Sequence, residues 1–419
     1  MSPRHKTGLA AAGVVLALLT ACGEKPQPEP EIPVEPEPAG PVVPETLDFL
    51  PADWSAMPGW AQADLAAALG AFGRSCARLD RRADAEALSP RASWAGQVAD
   101  WREACRLAAR AAAGEIAARD AFEAALTPVR LRAADPDTGE RRERGLLTGY
   151  YEPYVEVRLT PGGDFTQALR RRPDDLVTVD LGRFDDSLAG HRIVGEVRDG
   201  QLVQYKDRDA IETLNAGEPF AWGRPVDVFF LQIQGSGRLL YPDGHQERAA
   251  FAAHNGLPYR SIGRELIERG ELQAHAASKS GIEAWLETHG PQATAELFAV
   301  NPRYVFFDTR ALDNPELGPS GSSGVALTPM ASIAVDPAYH AQGVPVWLSA
   351  DLPELGAWSG LVVAQDAGGA ITGPLRGDFF WGWGEVAERR AGSTRAQAEW
   401  VILLPHTVVA RIFAEQSPA

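Results

Sequence analysis

Two carboxylates, Asp366 and Asp378, stand in the stretch DAGGAITGPLRGDFFWGWG. It is too glycine-broken for a helix and too aromatic for an idle loop. Carboxyl groups in such a setting suit general acid and base work. An aspartate before Ala-Gly-Gly also serves a turn, by hydrogen-bonding its own backbone. At this level both roles stay open. Other polar side chains sit among aromatics in the same way. Thr148, Tyr150, Tyr151 and Glu152 share one short segment. Gln232, Gln234 and Ser236 close another, and Asn255, Tyr259, Arg260 and Ser261 follow. Tyr and Trp faces beside amide and hydroxyl donors match a sugar, with its apolar ring faces and polar rim. Aromatic strands also build ordinary cores. Asp336, just before Pro337, reads as structural.

Other chemistries find no support. There is no Gly-x-Ser-x-Gly elbow, since Gly235-Ser236-Gly237 reads as a turn, and no Ser/His/Asp order is suggestive. His245, His254, His275 and His289 are scattered, so no metal site is expected. There is no phosphate loop. A formal charge of −16 with no basic run argues against nucleic acid as a partner.

These residues need elements to hold them. Trp60, Leu65, Leu69, Phe72, Cys76 and Leu79 recur at helical spacing, as do Trp94, Val98, Trp101 and Cys105. Helical patterning runs from Pro58 to about Leu126. Cys76 and Cys105 therefore lie on apolar helix faces, and the two helices could form a hairpin. In an oxidising compartment they could form a disulfide or remain buried thiols. RGLLTGYYEPYVEVRL, from Arg144, reads as a strand, and Val226 to Gly244 reads as a hairpin with Gln232 and Gln234 on one face. Helices return at Arg260 to Gly270 and Gly281 to Val300, and Arg303 to Asp308 is a short strand. From about Asp313 the chain reads as short β pieces (GVALTP, SIAVD, VPVWLSAD, GLVVAQDAGGAITG and EWVILLP), which favours a small barrel or sandwich.

The N-terminus carries an address. Arg4 and Lys6 precede the apolar run Leu9 to Leu19, which is too short to span a bilayer and ends in Leu-Thr-Ala-Cys. Residues 1–21 read as a secretory signal resembling that of bacterial lipoproteins, with Cys22 as the lipidated residue. Gly23 after it favours the outer membrane. Residues 22–46, rich in Pro and Glu, read as an extended tether.

TGYYEPYVEV, FFLQIQGSGRL, NGLPYRSIG and LVVAQDAGGAITGPLRGDFFWGWG, in order and behind that N-terminus, resemble the family of membrane-bound lytic murein transglycosylase A, with its three-aspartate (3D) domain. The resemblance implies an α+β fold: a double-psi β-barrel domain from residues 47–153 and 309–419, a mostly β domain inserted at 154–308, and a groove between them. It implies a peptidoglycan lyase of the exotransglycosylase type, cleaving the β-1,4 bond between N-acetylmuramic acid and N-acetylglucosamine and leaving a 1,6-anhydro end. One carboxyl suffices, acting first as acid and then as base toward the sugar's own C6 hydroxyl. By motif match that group is Asp378. Asp366, Thr148, Tyr150, Gln234 and Ser236 would contact the substrate, with Glu152 as a rival acid. No cofactor and no metal are implied. The implied partners are peptidoglycan strands, the outer membrane through a lipid anchor, and a complex for wall synthesis or hydrolysis. A two-carboxylate hydrolase and a non-catalytic wall-binding lipoprotein are the competing readings.

Overall fold

The computed structural model describes residues 45–135, 138–188, 191–277 and 279–416. The expected signal segment, Cys22 and nearly all of the tether lie outside the described residues. Six strands close into a barrel: β1 (Arg144–Glu152), β2 (Ser332–Val335), β3 (Pro345–Leu352), β4 (Gly356–Asp366), β5 (Gly377–Trp383) and β6 (Arg395–Pro405). Their order around the barrel is β6-β3-β4-β2-β5-β1, and β1 pairs again with β6 to close it. With its helices the fold is α+β, and the closed barrel, here of six strands, is the kind of fold that the resemblance implies. Leu126–Ala134 pairs with β6 and Thr46–Pro51 pairs with Leu126–Ala134, so the sheet runs on past the closure.

The barrel holds because alternate residues face inward. Phe379 and Trp381 of β5 enter a core shared with Trp347, Trp400, Ile402 and Val363, while Asp378 and Phe380 point the other way. Gly377 has no room for a side chain. A Cβ there would lie 2.6 Å from Ile333 Cδ1 and 2.8 Å from the Trp400 ring.

Two helices pack on this core. In α1 (Ala66–Leu79) the buried residues Leu69, Phe72, Cys76 and Leu79 form one stripe; α2 (Val98–Ala112) buries Val98, Trp101 and Leu107. A capping box starts α2: the Asp100 carboxylate accepts from the Gln97 amide at 2.9 Å, and the Gln97 side chain accepts in return. Cys76 and Cys105 form a disulfide between the two helices, 29 residues apart. A loop of that size removes unfolded-state freedom worth about 3 kcal/mol. Reduction should lower stability by that order, measured as a lower urea midpoint with and without reductant.

Between β1 and β2 the chain forms smaller sheets. Tyr154–Glu156, Gly237–Leu240, Gln246–His254 and Val305–Arg310 form one, and Val177–Asp180, Arg192–Arg198 and Gln201–Gln204 another. Two expectations fail here. Val226 to Gly244 is not a hairpin: α3 (Pro225–Gln234) is a helix, followed by the strand Gly237–Leu240. Pro225 at its first position and Gly235 with φ 79° at its end are helix signals that outweigh the β-branched, aromatic run between them. The placement of Gln232 and Gln234 on one strand face is thereby overturned. GVALTP is loop rather than strand, apart from one isolated bridge at Ala326.

Candidate active site

Strand register brings the two aspartates together. β1 and β5 run parallel with Thr148 opposite Asp378. β5 and β2 run antiparallel with Asp378 opposite Ala334, and β2 pairs with β4 so that Ala334 is also opposite Asp366. Asp378 and Asp366 thus flank Ala334 at one level, two strand spacings or about 10 Å apart at the backbone.

Their surroundings differ. Thr148 Oγ1 donates to Asp378 Oδ1 at 2.5 Å, and the same Oγ1 accepts from Arg376 Nη2 at 2.9 Å. Among the described residues nothing hydrogen-bonds Asp378 Oδ2, so one carboxyl oxygen is held and the other is open. Burial pushes Asp378 up to about 6; Thr148 and the Arg376 charge pull it down, and the Asp366 charge pushes it further up. Phe380, fully buried, lies on the same face of β5 as Asp378.

Asp366 is engaged at both oxygens. Oδ1 accepts from the Ser322 amide at 2.8 Å and from the Ala367 amide at 2.9 Å, and Oδ2 accepts from Tyr150 Oη at 3.0 Å. Burial raises its pKa against these bonds, which pull it down. Its geometry suits a fixed negative charge and a loop tie, the turn role that the sequence left open. Tyr150 is held between Asp366 and Phe380, whose ring centroid is 5.1 Å away. Gly149 makes this possible: a Cβ there would lie 2.5 Å from Trp381 Nε1, so the indole packs directly on the backbone between Thr148 and Tyr150.

The other expected residues divide. Gln234, at the end of α3, accepts from the Tyr151 amide at 3.3 Å and so sits against β1. Ser236 is buried in the turn after α3, and no described hydrogen bond links it to the aspartates. Asp336 Oδ1 accepts from the Ala338 amide at 2.9 Å and its Oδ2 from the Gly373 amide at 2.8 Å. Glu152 is tied into an ion-pair cluster rather than left open. It is fully buried, with Arg238 Nε at 2.9 Å and Arg248 Nε at 2.5 Å from its two oxygens. Sequence reasoning missed Ser322, although it lies within the turn-rich run PSGSSG (319–324). No group of three or more His, Cys or acidic residues among the described residues is arranged to hold a metal.

Two family models match the chain: the MltA specific insert domain over residues 146–308 and the 3D domain over residues 331–404. Membrane-bound lytic murein transglycosylase A of Escherichia coli K12 is 32% identical over 255 residues, 59% of this chain. The crystal structure of a membrane-bound lytic murein transglycosylase from Agrobacterium tumefaciens matches with a TM-score of 0.72 at 30% identity, covering 87% of this chain and 99% of that one. The chain belongs to the lytic murein transglycosylase A family. The match to the curated E. coli relative spans 62% of that protein's length. An E. coli MltA solved with bound chitohexaose shares the fold, with a TM-score of 0.59 at 23% identity over 87% of this chain and 95% of that one. The MltA insert model takes in Thr148 and Tyr150, and the 3D model takes in Asp366 and Asp378. The two segments that define the family therefore meet at the Thr148–Asp378 hydrogen bond.

Proposed function

We propose that this protein is a lytic transglycosylase that cleaves the β-1,4 bond between N-acetylmuramic acid and N-acetylglucosamine in peptidoglycan. Asp378 acts as the single acid and base. The observation that carries this reading is the asymmetry of the two carboxyls. Asp378 has one oxygen oriented by Thr148, the other open, and a pKa near neutrality, while Asp366 has both oxygens occupied. A hydrolase needs a second carboxyl to activate water or attack the sugar. Asp366 has no free oxygen for that task, and Glu152 is closed by arginines.

The steps follow. Asp378, protonated on Oδ2, gives its proton to the bridging oxygen as the C1–O bond breaks. The resulting carboxylate takes the proton of the muramyl C6 hydroxyl, whose oxygen attacks C1 of the same ring. No water is consumed, and Asp378 ends protonated. Intramolecular attack has a large proximity advantage over an outside nucleophile. Asp366, Tyr150, Thr148, Gln234 and Ser236 are assigned to the substrate side of the site. The glycan would lie between a barrel domain of residues 47–153 and 309–419 and an inserted domain of residues 154–308. The chitohexaose held by the E. coli relative supports a glycan ligand. Cys22 would carry a lipid that anchors the chain to the periplasmic face of the outer membrane, as the family's membrane-bound name suggests. No helix among the described residues is long and apolar enough to cross a membrane. Action beside a wall synthesis or hydrolysis complex belongs to the same reading.

Mass spectrometry of digested peptidoglycan tests it. The expected products are anhydro-muropeptides, lighter by one water than hydrolytic products; reducing ends or intact glycan would overturn the reading. The pH profile gives a second check. Asp378 must start protonated, so kcat/KM should fall as pH rises through about 6. Asp366→Asn removes a charge that pushes Asp378 up, so that falling limb should move to lower pH. An unmoved or upward-moved limb would show that the two carboxyls do not communicate.

A further inference from the structure

α1 carries Arg74 and Arg78 one turn apart on one helix face, and Arg82 follows in the turn after the helix. Two of them are committed. Arg74 donates to Ala326 O at 3.1 Å and to Thr328 Oγ1, and Arg82 donates to Glu86 at 2.7 Å and to Leu88 O at 3.1 Å. The nearby acids Asp80 and Asp84 both pair with Arg102. The Arg78 guanidinium makes no hydrogen bond or ion pair among the described residues. Its guanidinium lies over Gly324, where a Cβ would come 2.5 Å from Nη1.

This free guanidinium borders a pocket of about 140 Å³ that Ser75, Ser323, Gln342 and Gly343 also line. Ser323 is only 7% exposed, yet its hydroxyl has no hydrogen-bond partner among the described residues. A buried hydroxyl without a partner is rare, and beside an unpaired guanidinium it marks a place for an acceptor. The pocket shares a wall with the aspartate site. Ser322, next to Ser323, donates its amide to Asp366 Oδ1, and Gln342 Nε2 donates to Ser322 Oγ.

We propose that this pocket is a subsite for a carboxylate of the stem peptide borne by the muramyl residue, with Arg78 as its cationic partner and the Ser323 hydroxyl as a second donor. A guanidinium matches a carboxylate edge through two parallel N–H donors, which an ammonium cannot do. The proposal rests on the transglycosylase reading, because the glycan at Asp366 is what brings the peptide to the loop 321–324.

The test compares the full chain and its Arg78→Ala variant on three substrates: strands with stem peptides, the same strands with the peptide carboxylates amidated, and strands stripped of peptide. Arg78→Ala should raise KM roughly fivefold on peptide-bearing strands, the size expected of a half-exposed charge pair, and leave kcat unchanged. It should have no effect on the amidated or stripped strands. Arg78→Lys should recover part of the loss, and Ser323→Ala should act in the same direction with a smaller effect. An equal change on all three substrates, or none on any, would overturn the subsite. Should the wild type release no anhydro product from any strand, the transglycosylase reading fails on its own. The pocket is then judged by calorimetric titration of a muramyl tripeptide, and equal binding by wild type and Arg78→Ala would overturn it. Inorganic phosphate binding there as tightly as the tripeptide would make it a general anion site, which also overturns the assignment.

Discussion

Asp378→Asn should abolish release of anhydro-muropeptides while making the folded chain more stable near neutral pH. General acid–base groups commonly contribute two to four powers of ten, and here one group does both jobs, so a loss of at least about 10³-fold in kcat is expected. The stability change has the opposite sign. In the folded chain Asp378 is pushed from its ordinary 3.8 up to about 6, because burial penalises the charged form. Its ionisation therefore costs stability, beginning as pH rises past the unfolded value and complete once pH passes about 6. Asparagine never ionises and its amide oxygen can still accept from Thr148, so the variant should gain on the order of 1–3 kcal/mol at pH 8 and nothing at pH 4. Urea denaturation at the two pH values, with muropeptide analysis of the same samples, measures both effects. A variant that keeps more than a tenth of wild-type turnover would remove Asp378 from the mechanism.

Glu152→Gln should do the reverse, with its main effect on stability. The carboxylate is fully buried and receives Arg238 and Arg248; Arg238 also donates to Pro315 O at 2.8 Å and lies 3.9 Å over the Trp383 ring. Neutralising one partner of a buried ion pair leaves the others uncompensated, at a cost of about 3–5 kcal/mol. Here two guanidiniums would be left. The expected result is a large drop in the urea midpoint, with the pH profile of the remaining folded enzyme unchanged. Were Glu152 the acid, the variant would be inactive and normally stable.

How much of this was legible in the sequence depends on the range of the interaction. SIAVD, VPVWLSAD and EWVILLP give the barrel strands β2, β3 and β6 directly, because neighbouring residues decide them. The stripe on α1 is legible for the same reason. VFFLQIQ misled: its local composition favours a strand, and only the flanking Pro225 and Gly235 argued for the helix. The ties that assign roles are longer. Glu152 meets Arg238 86 residues away, and Ser322 meets Asp366 across 44. Nothing near Glu152 in the chain reveals that it is paired twice, and nothing near Asp366 reveals that both its oxygens are occupied. The motif match ranked the aspartates; register and hydrogen bonding give the ranking a physical cause.

Thr148 and Asp378 are separated by 230 residues, yet they lie side by side on parallel strands. A chain made from its N-terminus has Thr148 long before Asp378, and everything from 154 to 308 must emerge between them. No partial chain ending before β5 contains Asp378, and no fragment beginning after β1 contains Thr148. On the transglycosylase reading, the proposed site is therefore assembled only when the barrel closes, after both ends of the insertion have been made.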